Sequence, residues 1–471
     1  MKPATAGAQD LPLKMVGGSN FGRDPKISLE ESWNLIVSDN FMVPYAGSKS
    51  IVSAIPGGAG RAIYSSIKDD HFVSVIDNKV FYTNKNTDTS QIGELVSFTG
   101  DVFLSENNGG QIAICDRLNI YIFDYVLNTF QKATIDFLPG FITFQQGFFI
   151  SVDISGTNQW RLSDTNNGLS WPSDAFHVGE FQSKANKILA AAPVPGQSNL
   201  LFVFGQSVTE AWYLTGAQLF PYQKSTYFDI QFGCLNASTI KWNQTFVVWL
   251  GGNEKSTPQI VFSNGSAAQI VKNDGVNYKL ASLKKPNDSY GVLLNQDGHI
   301  IYQLTFPFDN VSFAYDFTEQ KIYNVSDHKQ DYHKARQSCF FNNTYFYVSF
   351  VDGNIYEWNS KYNDENGLAI PRIRIIPPIR LADGSKFSVN SLAFPIEQGN
   401  SQALQSIDLA MSTDGAESFG SFLKTPLNLI GNRKNRFTLF RLGTANDLTF
   451  QFRFWGSGRY VFTDGVLSIY Q

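Results

Sequence analysis

Cysteine is nearly absent from this sequence. Three residues in 471, Cys115, Cys234 and Cys339, lie far apart and are odd in number. That argues against a disulfide framework and a Cys-rich zinc site, and fits a chain made in a reducing compartment. Charge is also scarce, at 17% of residues, and the net charge of −4 is too mild to argue for nucleic-acid binding by the whole chain. No run approaches the roughly 18 apolar residues of a membrane span. The first residues, MKPATAGAQDLPLKMVGG, lack the continuous apolar stretch of a secretory signal.

Histidine is limited to His71, His177, His299, His328 and His333. Only His328 and His333 are close, and their spacing of five suits neither one face of a helix nor one face of a strand. With Asp327 and Asp331 beside them they form a possible ion site, but a solvated loop is the better reading. The HExxH pair, the Gly-rich phosphate loop ending in Lys-Ser/Thr and the GxSxG elbow are all missing. The expectation is therefore a protein with no catalytic residue, no cofactor and no metal, and not an enzyme.

Aromatic residues are plentiful: 14% of the chain, with 40 Phe and 20 Tyr. That composition suits pleated, half-buried surfaces. Short apolar runs broken by turn residues recur, and long amphipathic helical patterns are hard to find. FVSVIDNKVFYT (72–83), QIAICDRLNIYIFD (111–124), GFFISVDISGTNQWRLS (147–163), LLFVFGQSVTEAWYL (200–214), YGVLLNQDGHIIYQL (290–304) and YFYVSFVDGNIYEWN (345–359) each read as strand, turn, strand. Their centres fall near residues 77, 117, 154, 206, 297 and 352, and VVWLGG with QIVFSNGSAAQIV fills the one long gap. A hairpin recurring every 40 to 55 residues or so is the mark of propeller blades. The expected fold is all-β, with a β-propeller-like main domain of about six blades, or seven. A stacked β-sandwich array is the competing architecture.

The pattern changes near residue 367. AIPRIRIIPPIRLADG carries three prolines, and its alternating Arg and Ile read as an edge strand or linker. From 367 onward the chain has eleven basic and seven acidic residues, a net +4, against −8 for residues 1–366. The expected division is an extended N-terminal segment (1–45), the propeller-like domain (46–366) and a C-terminal β domain (367–471). Two turns, DTNNGLSW (164–171) and STDGAESF (412–419), approximate the aspartate boxes of sialidase-type propellers, with Asn166 in place of Asp and Ala416 in place of Gly. Such boxes are architectural turns even in glycosidases.

Glu210 poses the sharpest question. Strand alternation puts it on one face with Val208, Trp212 and Leu214. A carboxylate in that setting is either a general acid with a raised pKa or a fixture that accepts backbone hydrogen bonds. No second catalytic element lies near it, which favours the fixture.

FGQSVTEAWYLTG, then LFPYQ, then GCLNASTIKWNQTFVVWLGG, resembles the packaged-DNA stabilisation protein family of short-tailed bacteriophages, related to the tail nozzle or tail tubular protein B. The matching residues are Phe204, Gly205, Glu210, Trp212, Gly216, Pro221, Gly233, Trp249, Leu250 and Gly251. IPGGAGRAIYSS resembles the first hairpin of the family, with Arg61-Ala62 where Arg-Gly belongs. The resemblance implies that Gly205, Glu210, Trp212 and Trp249 are structural. It implies a ring of identical subunits, a hexamer, below the portal and adaptor, in contact with tail fibre, spike or needle proteins. Double-stranded DNA would pass through the lumen without sequence-specific binding. The place implied is the virion tail, with assembly in the host cytoplasm and no membrane span. The basic run Arg433, Lys434, Arg436 and Arg441 is the candidate contact with the tail ring above. A glycan-binding propeller or a glycoside hydrolase acting on the host surface is the alternative.

Overall fold

The computed structural model describes residues 8–21, 25–183, 187–253, 255–398, 404–427, 431 and 435–471. Its main body is a seven-bladed β-propeller. Six blades are built from consecutive antiparallel strands, starting at Gly60–Ser65, Phe103–Glu106, Pro139–Gln145, Ile188–Pro193, Gly233–Cys234 and Tyr290–Gln296. The seventh takes Ala335–Phe341, Thr344–Ser349 and Ile355–Asn359 from one end of the domain and Gly47–Val52 from the other. Gly47–Val52 pairs antiparallel with Ile355–Asn359, from Asn359 opposite Gly47 to Ile355 opposite Val52. This pairing closes the ring, and the first strands of blades seven and one pack together. Closure by a strand from the opposite end of the domain ties the blades that would otherwise meet without a covalent link.

The count is seven, the upper of the two numbers that the hairpin spacing suggests. Blade five is the one without a clean hairpin signal. Its strand Val247–Asn253 pairs with two short strands on one side, Gly233–Cys234 and Lys241–Trp242, so the repeat is interrupted. The other turns behave as their residues require. Asp297 (φ +51) and Gly298 (φ +94) join Gln296 to its partner His299, and Asn342 (φ +47) and Asn343 (φ +63) do the same between Phe341 and Thr344. Two-residue hairpins of this hand match the twist of the strands and favour Asn, Asp and Gly.

Blade six does not end at its fourth strand. Lys321–Asn324 pairs in parallel with Glu31–Trp33, and the sheet continues through Arg372–Ile375, Thr449–Trp455 and Ser406–Ser412 to Leu423–Pro426. A second sheet contains Gln9–Leu13, Gly465–Tyr470, Phe387–Pro395 and Arg436–Phe440. The two sheets face each other across a Phe-rich core, where Phe394 and Phe452 meet edge-on at 5.5 Å. That core also takes in Leu13 and Leu35 from the N-terminal segment and Tyr347 and Trp358 from blade seven. Pairing and packing therefore run across residues 45 and 367.

Arg372–Ile375 is an interior strand, not an edge or a linker, and all four residues are buried. Burying a guanidinium is costly unless its N–H groups find acceptors; among the described residues Arg372 donates to the Asn363 carbonyl alone, whereas Arg374 is well supplied. Arg374 donates to the carbonyls of Met15, Gly18 and Glu31 and pairs with Glu30 at 2.5 Å. The neighbouring prolines stand outside the paired segment, so the ladder loses no donor to them.

Candidate functional site

Glu210 lies in the third strand of blade four, Thr209–Leu214, and is completely buried. Its Oε1 accepts hydrogen bonds from the backbone N–H of Gln182 (2.7 Å) and Ser183 (2.5 Å), and its Oε2 accepts the indole N–H of Trp212 at 2.9 Å. Lys224 on the next strand brings its ammonium to 3.4 Å from Oε1. Strand register sets this up: Glu210 is opposite Asp229, Trp212 is opposite Lys224, and a bulge falls between the two pairs. Lys224 also contacts Asp229 (3.1 Å) and Ser183 Oγ (2.6 Å), and Ser183 Oγ donates to Asp229 at 2.7 Å.

This cluster borders a groove of about 920 Å³ between the outer strands of blades three and four, lined in part by Glu180, Trp212, Tyr222, Lys224 and Asp229. A general acid must hold a proton and present it to a bound substrate. Glu210 instead has both oxygens engaged by donors, two of them backbone groups of the segment leading from blade three into blade four. Sequence reasoning missed Lys224, Asp229 and Ser183. Their partnership depends on strand register and a bulge, which leave no local motif.

Of the other resemblance-derived residues, Phe204, Gly233 and Trp249 meet at the seam of blades four and five. Trp249 is fully buried, donates its indole N–H to the carbonyl of Gly233 at 3.0 Å, and meets Phe204 edge-on at 5.2 Å. Gly233 lies against the Gln206–Ser207 backbone, where a Cβ would stand 2.2 Å from the Gln206 carbonyl carbon. At Gly205 a Cβ would fall 2.9 Å from the Phe181 ring.

Arg61 is also buried. It spends its guanidinium on the carbonyls of Asp77, Ser97, Thr99 and Gly100 and on Ser97 Oγ, at 2.7–3.0 Å. It thereby knots the connection from blade one to blade two. Burial, with Arg336 nearby, lowers its pKa to about 10.

The two neighbouring histidines separate. His333 is buried and stacks on Trp358 at 4.9 Å; burial pulls its pKa down to about 4. His328 is half-buried and turns to Glu365, with Nδ1 3.3 Å from Oε2 and Asp327 Oδ2 at 4.0 Å. These three are the one potential metal-ligand group among the described residues. The Lys334 ammonium already contacts Glu365 Oε1. Burial would raise the Glu365 carboxyl, but Lys334 outweighs it and holds it below its usual value. The cluster is thus drawn into an ion-pair network in which Lys334 also reaches Asp352 at 3.3 Å.

Of the basic run, Arg436 and Arg441 are exposed at either end of Arg436–Phe440, an outer strand of the smaller sheet. Arg433 and Lys434 lie outside the described residues. Both aspartate-box turns are local hydrogen-bond knots. Asp164 accepts from Ser170 Oγ at 2.5 Å, and Asp414 accepts from Ser412 Oγ at 2.6 Å and from Ser418.

Residues 29–362 match the family model described as "Bacteriophage P22 Gp10, beta-propeller". The chain belongs to this family. Membership makes it a phage structural protein, and the matched span contains all seven blades. No curated protein sequence matches it. Two solved structures show a distant similarity. A catalytically inactive virginiamycin B lyase from Staphylococcus aureus, with quinupristin, is 14% identical with a TM-score of 0.45, over 68% of this chain and 99% of that one. The Cps50 (Swd1) propeller domain of Myceliophteria thermophila is 10% identical with a TM-score of 0.45, over 66% and 99%. Among the described residues no helix is long and apolar enough to cross a membrane.

Proposed function

We propose that this phage protein forms a closed ring of identical subunits, a hexamer, in the tail channel below the portal and adaptor. There it retains the packaged genome and conducts it during ejection. The family match over residues 29–362 carries this reading. The role requires stiffness and assembly, and no catalysis. Glu210, Trp212, Gly205 and Trp249 act as fixtures that hold blades three to five in register.

The charge division supports the same role. An acidic body repels phosphate and lets DNA slide, whereas a basic lumen would bind it through counterion release. The C-terminal unit, knit to the N-terminal segment, is the docking element, and Arg433, Lys434, Arg436 and Arg441 face the ring above. Tail fibre, spike or needle proteins occupy the other end, and assembly takes place in the host cytoplasm. Head-to-tail contacts between unlike patches close such rings.

Particle images of purified tails and the mass of the isolated assembly test the proposal. A six-fold ring containing this chain is expected. Reversing the four basic charges should weaken docking without unfolding the subunit, and added salt should weaken wild-type docking. Absence of the chain from tails, or monomers on the capsid exterior, would overturn it.

A further inference from the structure

A second constellation lies outside blade four. His299 opens the second strand of blade six, and Asp316 ends the third. His299 Nδ1 is 2.8 Å from Asp316 Oδ2, and His299 Nε2 is 3.1 Å from Ser38 Oγ. Asp316 is completely buried, and its other oxygen accepts from the backbone N–H of Thr318 at 2.8 Å, which fixes the carboxylate. A carboxylate on Nδ1 places the proton there and leaves Nε2 as a base directed at the hydroxyl.

Access follows the order that chemistry needs. Ser38 and His299 line a cleft of about 620 Å³, with Asp316 behind them. Ser38 ends the strand Leu35–Ser38, and the next residue, Asp39, is in the left-handed region at φ +53. The hydroxyl therefore stands at a tight turn on the rim. The cleft is also lined by Gln296, Ser360 and Asn363, and by Lys361, whose ammonium pairs with Glu357.

We propose that Ser38, His299 and Asp316 form a nucleophilic triad that hydrolyses carboxylic esters. Ser38 Oγ adds to the ester carbonyl carbon as its proton passes to His299 Nε2. The bond to the alkoxy oxygen breaks, and His299 protonates the departing alcohol. Water then adds to the acyl-serine, giving its proton to Nε2. The acyl–Oγ bond breaks, and Nε2 returns the proton to Oγ. The sum is ester plus water to acid plus alcohol. Asp316 holds the ring tautomer and stabilises the imidazolium. This activity is additional to the channel role and independent of it.

The test uses the full-length protein, a fluorophosphonate probe and nitrophenyl esters. Peptide mapping should find one phosphonyl group per chain, on Ser38. Labelling should fall at least tenfold in Ser38→Ala and His299→Gln, with thermal unfolding used to verify folding. Ester turnover should fall about 100-fold or more on loss of the base. Ser38 sits on the rim, so Ser38→Ala keeps the test decisive if His299→Gln does not fold. Folded wild type that leaves Ser38 unlabelled and cleaves esters no faster than Ser38→Ala would overturn the proposal. The trio would then be a tie between the 35–44 hairpin and blade six.

Discussion

Trp212 donates its indole N–H to Glu210, two residues earlier on the same strand, at 2.9 Å. That bond explains how a carboxylate can share a face with a tryptophan. Glu210→Ala leaves the Gln182 and Ser183 amides and the Trp212 indole without their acceptor. Each buried unpaired donor costs about 1–3 kcal/mol, so the three together should cost about 3–9 kcal/mol. Glu210→Gln keeps an acceptor oxygen and should lose distinctly less. Denaturant unfolding of both variants checks this. Equal stability of Glu210→Ala and wild type would remove the fixture role.

Arg61 presents a related case with the polarity reversed, because one donor group serves several carbonyls. Arg61→Met keeps much of the volume but leaves the acceptors of Ser97, Thr99 and Gly100 without it. A loss of about 3 kcal/mol or more is expected. Proteolysis should then open the 95–101 connection before other segments. A variant that unfolds like wild type at every site would show that water replaces the guanidinium there.

Ala416 has φ +66 in the second aspartate-box turn, where the pattern calls for Gly. A side chain in the left-handed region costs roughly 1–2 kcal/mol, partly offset because Gly raises unfolded-chain entropy by about 0.4–1 kcal/mol. Ala416→Gly should therefore stabilise the protein by up to about 1 kcal/mol. A melting temperature unchanged or lowered in that variant contradicts the strain argument.

The propeller was legible because each blade carries its own local hairpin, and hairpin signals are short-range. The seventh blade was harder to count, since its fourth strand, Gly47–Val52, lies almost 300 residues from the rest. Arg372–Ile375 was misread for a different reason. Charged residues predict exposure, yet Arg374 is saturated by carbonyls from the N-terminal segment, a long-range match that no window contains. Glu210 stood out through strand alternation, while Lys224 and Asp229 did not. Ser38, His299 and Asp316 left no signature, because the serine lies 261 residues from the histidine.

His333 gives the fold an acid-sensitive point. It is buried, accepts from the Ala335 N–H through Nδ1 at 3.3 Å, and its pKa falls from 6.5 to about 4 because burial disfavours the charged ring. Between those values the unfolded chain binds a proton that the folded chain does not. Stability must therefore fall as pH drops from about 6.5 to about 4, by about 3 kcal/mol in total at 1.36 kcal/mol per pKa unit. Glu365, held low by Lys334, adds a loss that begins only near the carboxylate range. The two separate by position: His333→Phe should flatten the upper part of the pH curve and leave the lower part. It should also keep the stacking on Trp358. Melting temperatures at pH 7, 6, 5 and 4 for both proteins read this directly, and parallel curves would mean that His333 protonates without penalty.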